Sequence, residues 1–147
     1  MIIPIASDHA GFPAKKLAID ILQSLGHQTI DFGVHNEASV DYPDYAVQVA
    51  RAVGLGTYER GILICGSGQG MCITANKIQE VRAALVWNPE LASLAVQHNN
   101  ANVLCLPGRY LNREEIQAIL ESWLQAQFEG GRHAQRVQKI HDLTGNS

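Results

Sequence analysis

Two observations predict an α/β fold built on a parallel sheet covered on both faces. Five short apolar runs alternate with helix-like segments at spacings of about 15–30 residues, as strands joined by crossover helices do. The middle run, Ile62-Leu63-Ile64, is apolar at consecutive positions with β-branched residues flanking the leucine, the pattern of a strand buried on both faces. In such sheets ligands bind beyond the carboxyl ends of the strands. Reactive residues collect at those ends: Asp8 and His9 after the first run, Cys65–Gly70 after the third, Arg109 after the fifth.

Ile2–Ser7 reads as the first strand. Pro13 suits the opening turn of the helix behind it, Leu17, Ile21 and Leu25 with Ala18 and Leu22 share its apolar face, and Gly26 stops it. Gln28–Phe32 is the second strand, followed by a polar loop over Gly33–Asp41. Asp41-Tyr42-Pro43-Asp44-Tyr45 opens a second helix with Ala46, Val49, Ala50 and Val53 on one side, and Gly54–Arg60 turns into the central strand. A third helix is expected from Met71 to about Gln79 and a fourth strand over Arg82–Trp87. Asn88-Pro89-Glu90 puts cap, proline and acidic first turn in order for a helix ending near His98-Asn99. Asn102–Leu106 is the fifth strand. Asn112 and Glu115 form a capping-box pattern, Gly130-Gly131 ends the helix they open, and a last helix covers roughly Arg132 to Leu143.

Composition narrows the function. The 147 residues read as one domain, 1–147, long enough to bury about two-thirds of the unfolded surface. A net charge of −3 argues against nucleic-acid binding through bulk charge. No run approaches the apolar length that crosses a bilayer, and the first residues lack the basic and apolar regions of a signal peptide. Cys65, Cys72 and Cys105 are odd in number and lack zinc-type spacing, so they read as reduced thiols of a cytoplasmic protein with no metal.

The densest motif is Cys65-Gly66-Ser67-Gly68-Gln69-Gly70. Glycines at alternate positions leave backbone N–H groups unshielded, and a helix start behind them adds partial positive charge, so the loop suits an anion. The same features are expected to favour the Cys65 thiolate. A tight turn with an inert buried cysteine fits the same residues. The glycine spacing is wrong for a dinucleotide fingerprint, so no cofactor-dependent dehydrogenase is implied.

Single residues carry two readings. Asp8 suits a helix cap as well as chemistry, and His9 beside it favours chemistry. His98 at a helix end suits a dipole cap. Arg132 and Arg136 stand one helical turn apart, as an exposed basic face or as a phosphate fork. Tyr42 reads as a core aromatic slightly ahead of a polar handle. His27, His35 and His141 lie in polar surroundings and carry no assignment. Val137 and Ile140 give the last helix an apolar stripe that a partner subunit would cover.

Asp8-His9-Ala10-Gly11, Asp41-Tyr42-Pro43, Cys65-Gly66-Ser67-Gly68-Gln69-Gly70-Met71, Ala75-Asn76-Lys77, His98-Asn99, Asn102-Val103-Leu104 and Gly130-Gly131-Arg132-His133 together resemble the sugar-phosphate isomerase family of ribose-5-phosphate isomerase B and the galactose-6-phosphate isomerase subunits. The resemblance implies a Rossmann-like three-layer α/β/α sandwich with a five-stranded parallel sheet. It implies a cofactor-free aldose–ketose isomerase of the pentose phosphate pathway, forming homodimers or tetramers with shared active sites. By position, Cys65 is the base between C1 and C2. Family members of a second type use a glutamate where this chain has Met71. His98 matches the ring-opening group, reaching across the subunit boundary on a body whose C-terminal helix contacts the partner. Asp8 matches a group at the sugar hydroxyls, and Ser67 stands where many members have threonine, its hydroxyl keeping the same role; with Cys65 and His98 both are expected among the catalytic residues as well as the substrate-binding ones. His9, Tyr42, the Gly66–Gly70 backbone (Gly66, Gly68, Gln69 and Gly70 with Ser67) and Asn99 match the substrate pocket, and Arg109, Arg132 and Arg136 the phosphate clamp. Allose 6-phosphate or galactose 6-phosphate fit the same chemistry, and a non-enzymatic phosphosugar sensor fits the fold.

Overall fold

Alternation along each strand sorts the core into two layers. The computed structural model describes residues 1–145. The chain runs β1 (Ile2–Ser7), α1 (Phe12–Ser24), β2 (Gln28–Asp31), α2 (Tyr42–Gly54), β3 (Gly61–Cys65) and α3 (Gln69–Ala75). It continues through β4 (Ala83–Leu85), α4 (Pro89–Asn99), β5 (Val103–Pro107), a 3-10 turn (Gly108–Tyr110), α5 (Arg113–Gln125) and α6 (Arg132–Thr144). All strand pairs are parallel, in the order β2-β1-β3-β5-β4. Ile3, Ile5, Ile62, Ile64, Leu104 and Leu106 pack with α1, α4 and α5 residues such as Leu22, Val96 and Trp123. Ala6, Leu63, Cys65, Val103 and Cys105 face the other way, against Val49, Val53 and Met71 of α2 and α3. This is the expected sandwich. No helix among the described residues is long and apolar enough to cross a membrane.

α3 is shifted against its sequence pattern and ends early. α3 starts at Gln69 because Gly68 adopts φ +78 and turns the chain early. It stops at Ala75, well before Gln79, because the next side chain is recruited elsewhere. Asn76 Nδ2 donates to the Ala83 carbonyl at 2.9 Å, and Asn76 Oδ1 accepts from the Ala83 N–H at 2.8 Å. The amide thus pairs with the edge of β4 as a further strand would.

α6 packs along α4 through Val137 and buries His141 against Arg82, whose Nη1 lies 3.2 Å from His141 Nε2. His141 thus has the polar neighbour its surroundings suggest, but in a buried position. Ile140 and Leu143 remain exposed.

Arg60, just before β3, closes α5. Its Nη1 donates to the Trp123 carbonyl at 2.6 Å and Nη2 to the Ala126 carbonyl at 3.0 Å, with the guanidinium over the Trp123 ring. These carbonyls lie at the helix end, where no intrahelical donor remains. Arg60→Ala is expected to cost about 2 kcal/mol of unfolding free energy, measured by urea denaturation, with no change in any activity at the opposite edge of the sheet.

Candidate active site

The pairing of β1 with β3 (Ile5 with Ile62, Ala6 with Leu63, Ser7 with Ile64) brings the ends of both strands together. The order of connection reverses here: the chain leaves β1 toward β2 and later returns to β3 on the other side. That is the switch point at which open α/β sheets bind ligands. Gly11 permits the close fit, since a Cβ there would lie 2.2 Å from the Ile64 carbonyl oxygen. Asp8 Oδ1 accepts the Gly11 N–H at 2.9 Å, so Asp8 does brace the turn, and it also borders the hollow beyond.

That hollow, about 250 Å³, is bounded by Asp8, His9, Ala10 and Tyr42 on one side and by Cys65, Gly66, Ser67, Gly70 and Arg109 on the other. Cys65 is only 4% exposed, and it lines the hollow. Arg109 lies over Gly66, its Nη1 3.4 Å from where a Cβ would stand, and its N–H donates to the Gly66 carbonyl at 3.1 Å. Tyr42 is 41% exposed with its ring laid against Gly70, so it serves the pocket and not the core. His9 Nδ1 accepts the Val40 N–H at 3.2 Å. The first-turn N–H groups of α3 have no intrahelical acceptors.

Two loop residues lie outside the hollow. Gly68 is buried, where a Cβ would come within 2.5 Å of Leu85. Gln69 faces a larger groove of about 470 Å³ between Leu85, Trp87 and Tyr110, which it shares with Ser67. That groove holds no thiol, imidazole or guanidinium, and the smaller hollow is the one equipped for proton transfer.

His98, Asn99, Arg132 and Arg136 are elsewhere. α4 starts beyond the carboxyl end of β4 and runs back against the strands, so its 11 residues carry His98 and Asn99 roughly 16 Å toward the opposite edge. There the His98 and His133 rings stack with centroids 4.3 Å apart and planes 9° from parallel. Glu129 Oε1 lies 3.6 Å from His98 Nε2 and 3.7 Å from His133 Nε2, and the Glu129 N–H donates to the Gln97 carbonyl at 3.1 Å. Asn99 is exposed beside the hollow between α6 and β4. Arg132 and Arg136 are exposed, and among the described residues neither guanidinium has a hydrogen bond or ion pair. Sequence reasoning missed Glu129; its i, i+4 spacing to His133 was the available signal.

His98, Glu129 and His133 are the one group among the described residues whose donor atoms could meet at a metal ion. Imidazole lone pairs lie in the ring planes, so two nearly parallel stacked rings do not aim at a common ion, and the charges of Arg132 and Arg136 oppose a cation.

A doubly wound α/β protein with a thiol, a carboxylate, an imidazole and a guanidinium around one small hollow is a small-molecule protein equipped for acid–base chemistry. The profile of the Ribose/Galactose Isomerase family matches residues 3–140, and the chain belongs to this family. It is 44% identical over 138 residues to ribose-5-phosphate isomerase B of Escherichia coli, covering 94% of this chain and 93% of that one. The structure of ribose-5-phosphate isomerase B from Clostridium thermocellum superposes with a TM-score of 0.96 at 45% identity, over 99% of this chain and 98% of that chain. That of Mycoplasma genitalium ribose-5-phosphate isomerase B, with ribulose 5-phosphate bound, gives 0.93 at 43% identity, over 99% and 97%.

The histidine stack carries a pH signature. His133 is held below its ordinary value of 6.5 by desolvation first, then by the charges of His98, Arg132 and Arg136, against an upward pull from Glu129. A depressed histidine binds fewer protons folded than unfolded, so its contribution is intact above pH 6.5 and lost as pH falls through the folded-state value. Thermal melts are expected to show the wild type losing more stability between pH 7.5 and 5 than His133→Asn.

Proposed function

We propose that this chain interconverts ribose 5-phosphate and ribulose 5-phosphate by proton transfer through Cys65, in a cytoplasmic homodimer or a pair of such dimers whose sites are shared. The observation that carries the reading is the opening of Cys65 into a hollow with Asp8, His9 and Arg109, at the switch point of a family fold. The ribulose 5-phosphate bound to the Mycoplasma genitalium relative supports the substrate class. Met71 supports a cysteine base, since its side chain is apolar and fully buried.

From the aldose, the Cys65 thiolate takes the proton from C2, the C–H electron pair becomes the C1–C2 double bond as the carbonyl pair moves onto O1, the O2 proton passes to O1, and the thiol returns its proton to C1 as the C2 carbonyl forms. N–H groups at the start of α3 face the developing oxygen charge, and one such fixed donor contributes about 3 kcal/mol. Asp8 and Ser67 hold sugar hydroxyls, with His9, Tyr42, Gly66 and Gly70 shaping the pocket. Arg109 grips the phosphate, and that remote binding energy orients the carbon chain.

Ring opening needs an acid–base group, and an imidazole such as that of His98 suits the role by its chemistry. It stands at the wrong edge of its own sheet. A two-fold partner resolves this by presenting its His98, Asn99, Arg132 and Arg136 to the Cys65 hollow, burying Ile140 and Leu143 of the C-terminal helix in the contact.

Cys65→Ala is expected to lower kcat by about a thousandfold while calorimetry shows ribose 5-phosphate still bound; undiminished turnover would refute the cysteine base. Sharing is tested by refolding Cys65→Ala together with His98→Gln. A site built across two chains regains about a quarter of wild-type activity, the statistical share of intact sites in re-paired dimers. A site within one chain regains nothing.

A further inference from the structure

Lys15 is a fully buried cation that the proposed reaction does not use. Its ammonium donates to Asp31 Oδ1 at 2.7 Å and to the Val34 carbonyl, and it lies 5.4 Å from the centre of the Phe12 ring. Stability alone does not account for it, because replacing a buried ion pair with packed apolar groups is often neutral or stabilising. What the ammonium holds is the start of the loop leaving β2. Gly33 N–H donates to the same Asp31 oxygen at 2.9 Å, the Ser7 N–H donates to the Gly33 carbonyl at 2.8 Å, and the Val34 N–H donates to the Ser7 carbonyl at 3.0 Å. The loop is thereby tied to the last residue of β1, next to Asp8 and His9.

Beyond Val34 the five residues 35–39 are exposed. The loop returns at Val40, whose N–H meets His9 Nδ1 at 3.2 Å. A ring nitrogen that accepts carries no proton, so this contact selects the neutral imidazole with its proton on Nε2. His9 then offers one fixed donor to the hollow it borders. Val40 is placed from two sides, by α2, which opens at Tyr42, and by the anchored Val34 across the exposed stretch; Lys15 acts on the second.

We propose that Lys15 is a positioning residue for His9: through Val34 it sets the 34–40 loop so that the Val40 N–H holds His9 in the Nε2–H tautomer, as a donor to the sugar phosphate. The substrate half of this inference rests on the function proposed above; the tautomer half does not.

Nitrogen-15 spectra of the histidine rings separate the two halves. In the wild type His9 is expected to show one bare and one protonated ring nitrogen. In Lys15→Met the two signals should move toward averaging, with KM for ribose 5-phosphate up roughly three- to tenfold, the worth of one misplaced hydrogen bond, and kcat little changed. Val40→Pro, which removes the N–H, should do the same with the Lys15 contacts intact. Arg60→Ala, destabilising but remote, should move neither readout. A folded Lys15→Met with the wild-type tautomer and KM overturns the proposal, as does a Val40→Pro without effect on either. Should Lys15→Met not fold, Lys15→Gln is read by the same criteria. A wild-type chain that shows the expected tautomer but does not turn over ribose 5-phosphate sinks the substrate reading alone.

Discussion

The register between β1 and β3 is the constraint on which the rest depends. With Ser7 opposite Ile64, the first residues past each strand, Asp8 and Gly66, flank the same gap, and Cys65 opens into it. Side chains alternate along a strand, so a slip by one residue would turn Cys65 toward the α1 and α5 layer, where Ile62 and Ile64 pack. The register is held from both faces. Isoleucines fill one side, Ala6 and Leu63 the other, and the Gly11 backbone presses on the Ile64 carbonyl from above. A core contact therefore sets the geometry of the chemistry.

Most of the fold was legible because its signals are local. Asn88 accepts the Leu91 N–H, and Asn112 with Glu115 forms both bonds of a capping box, as the spacing of those residues implies. Strand and helix alternation required a parallel sheet, and the placement of Asp8, His9, Cys65 and Arg109 at strand ends required a site there. What was not legible depends on partners distant in sequence. The end of α3 is decided by Asn76 meeting Ala83 across a turn. Tyr42 leaves the core because its ring finds Gly70, and His141 enters it because Arg82 lies beneath. No periodicity within α2 or α6 encodes those meetings. The Lys15 anchor is likewise invisible, since a lysine on an amphipathic helix reads as solvent-facing until its partners on β2 are in place.

The three cysteines show why acidity and placement have to be separated. Cys72 is the thiol shifted toward the thiolate, chiefly by its hydrogen bond with Cys105, against the opposing effect of its own burial. Burial pushes Cys105 well up. Yet the Cys72 sulfur lies against the Ala83 carbonyl and the Asn76 amide, and it is not among the residues that line the hollow of Asp8, His9 and Arg109. Cys65 is singled out by the carboxylate, imidazole and guanidinium around its hollow. For a proton transfer, a base positioned within reach of the carbon-bound proton is the first requirement, and basicity the second.

The direction of α4 makes the assembly argument. A helix that crosses from one parallel strand to the next must run against them, so whatever it carries at its carboxyl end is delivered to the far edge of the sheet. His98 and Asn99 sit there, with Arg132 and Arg136 beyond a turn that Glu129 pins to α4. No side-chain rotation spans a helix of that length. If these residues act with Cys65 at all, they act on the Cys65 of another copy, and a two-fold arrangement that satisfies one site satisfies both. On the proposed dimer, the Arg132 and Arg136 guanidiniums, which have no partner among the described residues, and the exposed Ile140 and Leu143 would be the two halves of one requirement: charge for the substrate of the neighbouring chain, and apolar area to hold that chain in place.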